Sequence, residues 1–454
     1  MNADGPRIPF VPNARYPDPA VELLHPSFAA LRVYSSSVEQ LYSGTRWGEG
    51  PQWFADHRCL LWSDIPGNRI LRWDEASGQV TTFRSPSHHA NGLARDRQGR
   101  LLACEHQSRR VTRTEPDGSL TVLADRFEGQ RLNSPNDIVC RRDGSIWFTD
   151  PPFGIHGWWE GEPAMPERPQ AVYRIDPDSG ALACAIDDLA GPNGLAFSPD
   201  ERVLYVVESR ATPSRLVWAY DCDADGRLSN KRLHIDADGA GALDGIAIDA
   251  EGNTWCGFGS DGRAGASSAE LDGVRVFDRG GRPIGHIHLP ERCANLCFGG
   301  ANNNRLFMAA SHSLYALHVN TRGAVACAGS VSPACRCGPS THRASPRRRT
   351  PSKNFARLVQ EALPEHAAIT SCNVALASKS CAGDAHSTAP STSVCCCSRQ
   401  ASAACSQATT QCAKPLSRSM PSRSMASFRQ SATKLPCVPR ACRRLVSRRS
   451  CART

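Results

Sequence analysis

From Glu49 to Asn295, one kind of residue keeps returning at the same place in a repeated unit. Glu49, Asn91, Asn136, Asn193, Asp244 and Asn295 each stand just ahead of a short apolar-rich run, a turn and a second such run. "HANGLARDRQGRLLACEH" (89–106), "GPNGLAFSPDERVLYVVES" (191–209) and "LDGIAIDAEGNTWCGFG" (243–259) follow this plan, and "LNSPNDIV" (132–139) enters it at Asn136. The spacings are 42, 45, 57, 51 and 51 residues. Asn and Asp are poor strand formers, so one such residue reads as a turn. Six in phase read as a repeat. Units of about 40–50 residues with about four strands each specify a β-propeller, and the sequence predicts an all-β, six-bladed one. Because the first strand of each blade lines the central channel, the six side chains should converge on one rim.

Composition divides the chain. Residues 324–454 carry 20 of the 53 Lys and Arg but 3 of the 44 Asp and Glu, so they are net +17 while the remainder is net −8. They hold 13 of the 21 Cys and none of the Trp or Tyr, and they show neither strand nor helix periodicity. The predicted organisation is an N-terminal segment (1–40) packing on the propeller, the propeller itself (41–323) and a basic Cys/Ser/Arg-rich tail (324–454). The tail reads as disordered or as out-of-frame or read-through coding sequence. "CCC" (395–397) lacks the paired spacing of a zinc site. The start, "MNADGPRIPFVPNARYPDPA", lacks a basic segment followed by an apolar one, and no run of roughly 18 apolar residues exists. The eight cysteines before the tail read as buried free thiols, so a cytoplasmic protein is expected.

Oxygen-bearing side chains gathered on a rim suit a hard divalent cation such as Ca²⁺, Mg²⁺ or Mn²⁺, with Zn²⁺ as a further candidate. Three or four protein oxygens would leave positions open for water and substrate, as in a catalytic site. A second acid follows four ring residues by 14 or 15 positions: Asp64, Glu105, Asp150 and Glu208. A hairpin should fold each back beside its ring residue, where it would orient the ring. His89, ahead of Asn91, and Trp158, in the long insertion "FGIHGWWEGEPAMPERPQ" (153–170), are expected to touch substrate, as are Asn91 and Asn136.

Several stretches carry a family likeness. "RWGEGPQW" (46–53), "LLWSDIPGNRILRWD" (60–74), "RLNSPNDIVCRRDGSIWFTDPPFGI" (131–155), "LDGIAID" (243–249) and "LPERCANLCFGGANNNRLFMAASHSLYALHVNTRGA" (289–324) resemble the senescence marker protein/gluconolactonase/luciferin-regenerating enzyme family. The resemblance runs from about residue 16 to 324 and is strongest to bacterial gluconolactonase-like members. It implies a six-bladed propeller with one divalent metal, Ca²⁺ first among the candidates. The metal would be held by Glu49 of "EGP", Asn193 of "NG" and Asp244 of "DG", with Asn136 of "PND" as a fourth ligand or substrate contact. It also implies Asp244 as general base. The animal sugar-lactone hydrolases carry Arg two residues before the "PND" Asn; here that position is Ser134, so their specificity does not carry over.

The expected activity is metal-dependent hydrolysis of a sugar lactone such as gluconolactone. The alternatives are another ester or a phosphotriester in the same site, or a non-catalytic ligand-binding propeller. The expected partner is a small lactone, with neither membrane nor nucleic acid.

Overall fold

The structure, a computed structural model, describes residues 5–239 and 241–324. The tail reading therefore lies outside the described residues, apart from Ala324. Among the described residues the chain forms six antiparallel sheets of four or five strands, plus a two-stranded ribbon, Arg126–Phe127 with Gln130–Arg131. Blade I begins with Gly48–Phe54, blade II with Ala90–Arg95 and blade III with Ile138–Cys140. Blades IV, V and VI begin with Pro192–Phe197, Gly241–Ile248 and Cys293–Gly299. These inner strands neighbour one another in chain order, and that of blade VI returns to that of blade I. The expected six-bladed propeller is what forms.

The ring closes with sequence from the start of the chain. Glu39–Ser43 pairs with Ser313–His318 as the outermost strand of blade VI, and Val21–Leu23 adds a fifth strand to blade V beside Pro283–His288. A boundary between residues 40 and 41 therefore cuts through a strand. The N-terminal segment contributes backbone pairing to two blades rather than only covering them.

Aromatic side chains wedge the blades together. Trp147 of blade III meets Phe197 of blade IV edge-on, with centroids 5.7 Å apart. Trp53 of blade I stacks on Phe307 of blade VI at 5.4 Å, and Trp255 of blade V packs on Phe298 at 5.6 Å. Each such pair adds about 0.5–1.5 kcal/mol beyond the burial of its area. Of the eight cysteines before the tail, all free, six are buried; Cys184 is exposed and Cys297 half-buried, contrary to the uniform burial expected. No helix among the described residues is long and apolar enough to cross a membrane.

Candidate functional site

The polar repeat owes its direction to an interruption in the ladder. In blades II, IV and V the inner strand skips two residues in its pairing: between Ala90 and Leu93, Pro192 and Leu195, and Leu243 and Ile246. The skipped residues are Asn91-Gly92, Asn193-Gly194 and Asp244-Gly245, so each bulge turns one polar side chain toward the axis. Blade I is interrupted just after Glu49. The glycine is demanded by the next blade. A Cβ on Gly50 would lie 2.3 Å from the Asn91 carbonyl oxygen, on Gly92 2.5 Å from that of Asn136, and on Gly194 2.4 Å from that of Asp244. The backbones of Asn91, Asn136 and Asp244 thus rest where the glycine after the preceding ring residue leaves room.

Five ring residues, Glu49, Asn91, Asn136, Asn193 and Asp244, line one cavity of about 390 Å³. Their amides form a chain of hydrogen bonds: Asn91 Nδ2 donates to Asn136 Oδ1 at 2.7 Å, and Asn136 Nδ2 to Asn193 Oδ1 at 2.8 Å. Glu49 and Asp244 are buried. Burial pushes the Glu49 carboxyl well above its usual range, and the charges of Asp244 and Asp137 push it further. Burial also raises Asp244, against the pull of Arg292, whose Nη2 donates to Asp244 Oδ2 at 2.9 Å.

Two buried carboxylates, both raised by burial and Glu49 further by the charge of Asp244, are a poor resting arrangement unless a cation joins them. Among the described residues no three His, Cys, Asp or Glu converge as a metal cluster; the donor set here is two carboxylates and two amides. Amide oxygens carry two lone pairs, so those of Asn136 and Asn193 can accept their neighbour's hydrogen bond and still face a cation. Glu49, Asn136, Asn193 and Asp244 therefore fit a hard divalent ion. No thiolate or imidazole stands among them.

The sixth ring residue departs from expectation. Asn295 lines a second cavity of about 170 Å³ together with Asp137, to which its Nδ2 donates at 3.4 Å. In blade VI the bulge falls at Ala294, ahead of Asn295, whereas in blades I, II, IV and V it falls at or just after the ring residue. A one-residue change of register reverses the face on which a side chain lies.

The trailing acids also fail to orient the ring. Asp64 pairs across the hairpin with Gly48, Glu105 with Ala90 and Glu208 with Pro192, each one position before the ring residue or its bulge. Their side chains turn to other partners. Asp64 binds Arg69 at 2.9 Å, Glu105 binds Arg110 at 2.7 Å, and Glu208 accepts from Trp218 Nε1 at 2.7 Å. Asp150 accepts from the Asn133 backbone at 2.8 Å.

The insertion 153–170 covers the cavity with Phe153, His156, Gly157, Trp159 and Glu160. Of the two tryptophans in the insertion, Trp159 lines the cavity and Trp158, 78% exposed, does not. His89 is likewise absent from the lining. It is half-buried, its backbone carbonyl accepts from the backbone of His106, and burial lowers its pKa. His106, fully buried and also outside the lining, backs the lining residues Asn91 and Glu160. Its Nε2 lies 3.3 Å from Asn91 Nδ2, its Nδ1 lies 3.8 Å from Glu160, and burial pushes it down to about 4. Glu160, partly buried, is pushed up to about 7 by burial and by Asp244. Arg210, Arg215 and Arg292 complete the wall. His106 was within reach of the sequence: it follows Asn91 by 15 residues, the same hairpin interval used for the acids. The lid and loop residues carry no periodic signal.

The SMP-30/Gluconolactonase/LRE-like region, as a family pattern, matches residues 47–312. The chain belongs to this family. A gluconolactonase from Zymomonas mobilis is 31% identical over 322 residues, covering 66% of this chain and 85% of that protein. Pentonolactonase XacC from Haloferax volcanii is 28% identical, covering 58% and 81%. The solved structure of a gluconolactonase from Xanthomonas campestris is 38% identical, covers 70% of this chain and 98% of its own, and superposes with a TM-score of 0.60.

Proposed function

We propose that this family member is a hydrolase of cyclic esters whose substrate is a sugar lactone, and that it works with one divalent cation, Ca²⁺ by preference, held by Glu49, Asn193, Asp244 and Asn136. The observation that carries this reading is the meeting of two buried carboxylates, from blades I and V, with two amide oxygens on the floor of one lidded cavity. The gluconolactonase and pentonolactonase relatives support the substrate class. When bound, the cation would supply Lewis acidity toward the lactone carbonyl and stabilise the negative charge that develops there.

The chain's own groups do the rest. Asp244 takes a proton from the water that attacks the carbonyl carbon. Its Oδ2 is fixed by Arg292, which leaves further lone pairs on the carboxylate to receive that proton. As the ring C–O bond breaks, the proton returns to the leaving alkoxide, which stays tethered to the new acid. Asn91 Oδ1, buried and without a hydrogen-bond partner, accepts from a substrate hydroxyl. Trp159 and Phe153 cover the sugar and exclude water.

The test is acid release from glucono- and pentonolactones, before and after a chelator, with single divalent ions added back. Activity indifferent to the chelator would remove the cation. No hydrolysis across the lactone panel would make the propeller a binding module instead.

A further inference from the structure

One wall of the cavity carries three arginines. Arg210 and Arg215 come from the loop between the second and third strands of blade IV, and Arg292 from the loop entering blade VI. Arg263 lies behind Arg215, the two sharing Asp261 at 2.7 and 3.7 Å respectively. Arg292 is matched by Asp244 at 2.9 Å. Glu49 and Glu160 line the cavity too, so its acids are not outnumbered, and what distinguishes the arginines is which of them is paired.

The unmatched one that reaches the cavity is Arg210. Among the described residues no carboxylate lies within ion-pair distance of it. It is nonetheless held in place. Its guanidinium sits over the Phe153 ring, 5.1 Å from the centroid, and its backbone N–H donates to the Ala190 carbonyl at 3.0 Å. Its stem packs on Gly191, where a Cβ would come within 2.5 Å of Arg210 Cγ. An oriented guanidinium outside any ion pair, felt by Glu160 and Asp244 only at longer range, can receive an oxyanion through two parallel N–H donors. Its position is also informative. Arg210 is exposed at the mouth, whereas Glu49 and Asn136 are each only 4% exposed on the floor. A lactone with its carbonyl at the floor would present its far end to Arg210.

We infer that the substrate is an acidic sugar lactone, whose far end carries a phosphate, carboxylate or sulfonate bound by Arg210 with Arg215 beside it. This rests on the lactonase reading above, so turnover and binding are tested separately. Wild type and Arg210→Gln are assayed with glucono-1,5-lactone, its 6-phosphate and a glucaric acid lactone. Both are also titrated calorimetrically with glucitol and glucitol 6-phosphate, which contain no lactone. The expected result is a higher kcat/KM for the charged lactones in the wild type. In the variant that preference falls tenfold or more, and binding of glucitol 6-phosphate weakens by a similar factor. Arg210→Lys should recover part of both. An Arg210-dependent phosphate affinity without any lactone turnover would uphold the anion subsite and sink the lactonase reading. Equal losses on neutral and charged lactones, or no wild-type preference between glucitol and its phosphate, would overturn the inference and assign the arginine to the charge formed in the reaction itself.

Discussion

Gly194→Ala changes no atom of the proposed chemistry, yet it should disable the site. Gly194 sits between the proposed ligand Asn193 and the backbone of the proposed ligand Asp244. An added Cβ would lie 2.4 Å from the Asp244 carbonyl oxygen, 2.8 Å from Gly245 Cα and 2.9 Å from Ile246 N. All three are backbone atoms, so no flexible side chain can yield. Restoring an ordinary contact of 3.4 Å requires the inner strands of blades IV and V to part by about 1 Å. Overpacking of this kind costs about 1–3 kcal/mol, which in a domain of this size lowers Tm by roughly 2–5 °C. The functional loss should be larger. Catalytic groups tolerate displacements of about 0.5 Å, and a misplacement of about 1 Å can cost about 100-fold in rate. The assay pairs thermal unfolding with kcat/KM and with a divalent-ion titration followed by the rise in Tm. Gly157→Ala, with no atom within 4 Å of the new methyl, is the steric control for stability. If Gly194→Ala kept wild-type cation affinity and kcat/KM within twofold, the idea that these glycines set the spacing of the ligands would be wrong.

Trp159→Ala should raise KM several-fold, since stacking on an aromatic face is worth about 1 kcal/mol, while Trp158→Ala leaves KM unchanged; steady-state kinetics on two lactones would reverse this assignment if the effects were exchanged. Asp244→Asn keeps an oxygen for the cation but loses the base, so turnover should fall by about 10²–10⁴ even at saturating metal; full recovery with excess ion would leave Asp244 as a ligand only. Burial raises Glu49 and Asp244 above ordinary carboxylates, and Asp137 and Asp150 are each pushed up to about 7. Groups shifted upward favour the fold at acid pH, and that contribution is lost as pH rises from about 4 toward 7. A cation needs Glu49 and Asp244 ionised, so the Tm gain from adding it should be larger at pH 8 than at pH 5; equal gains in differential scanning fluorimetry would contradict the ligand set. A chain ending at Ala324 should keep its Tm and turnover, because the closing strand of blade VI and the Ala324-to-Ile248 backbone bond at 2.8 Å are then complete; a marked fall in Tm would show that later residues stabilise the ring.

How much of this was legible in the sequence follows from what repeats and what does not. The propeller could be read because one blade is one period, and each period marks its inner strand with a polar residue before an apolar run. The glycines that follow Glu49, Asn91, Asn193 and Asp244 were visible too, but their cause was not. For Gly50, Gly92 and Gly194 it is a backbone carbonyl of the neighbouring blade, and for Gly245 it is the Asn295 side chain. Blade III has Asp137 at that position and blade VI has Leu296, and these two exceptions accompany the pair, Asp137 and Asn295, that leaves the rim for the second cavity. Counting from residue to residue treats every bulge as alike. A bulge placed one residue earlier, at Ala294, is silent in the sequence and decides which way Asn295 faces. The same parity misled the expectation for the trailing acids. The hairpin does return them to the right end of the blade, but opposite Gly48, Ala90 and Pro192 rather than at the ring, so they hold arginines and loops. Specificity was the least legible part, because it lies in segments without a period. Arg210, Arg292, Glu160 and Trp159 all lie in connecting segments, and the choice between Trp158 and Trp159 turns on the path of one loop. The repeated strands fix where a lactone carbonyl can sit, and the unrepeated loops decide what the rest of that lactone must look like.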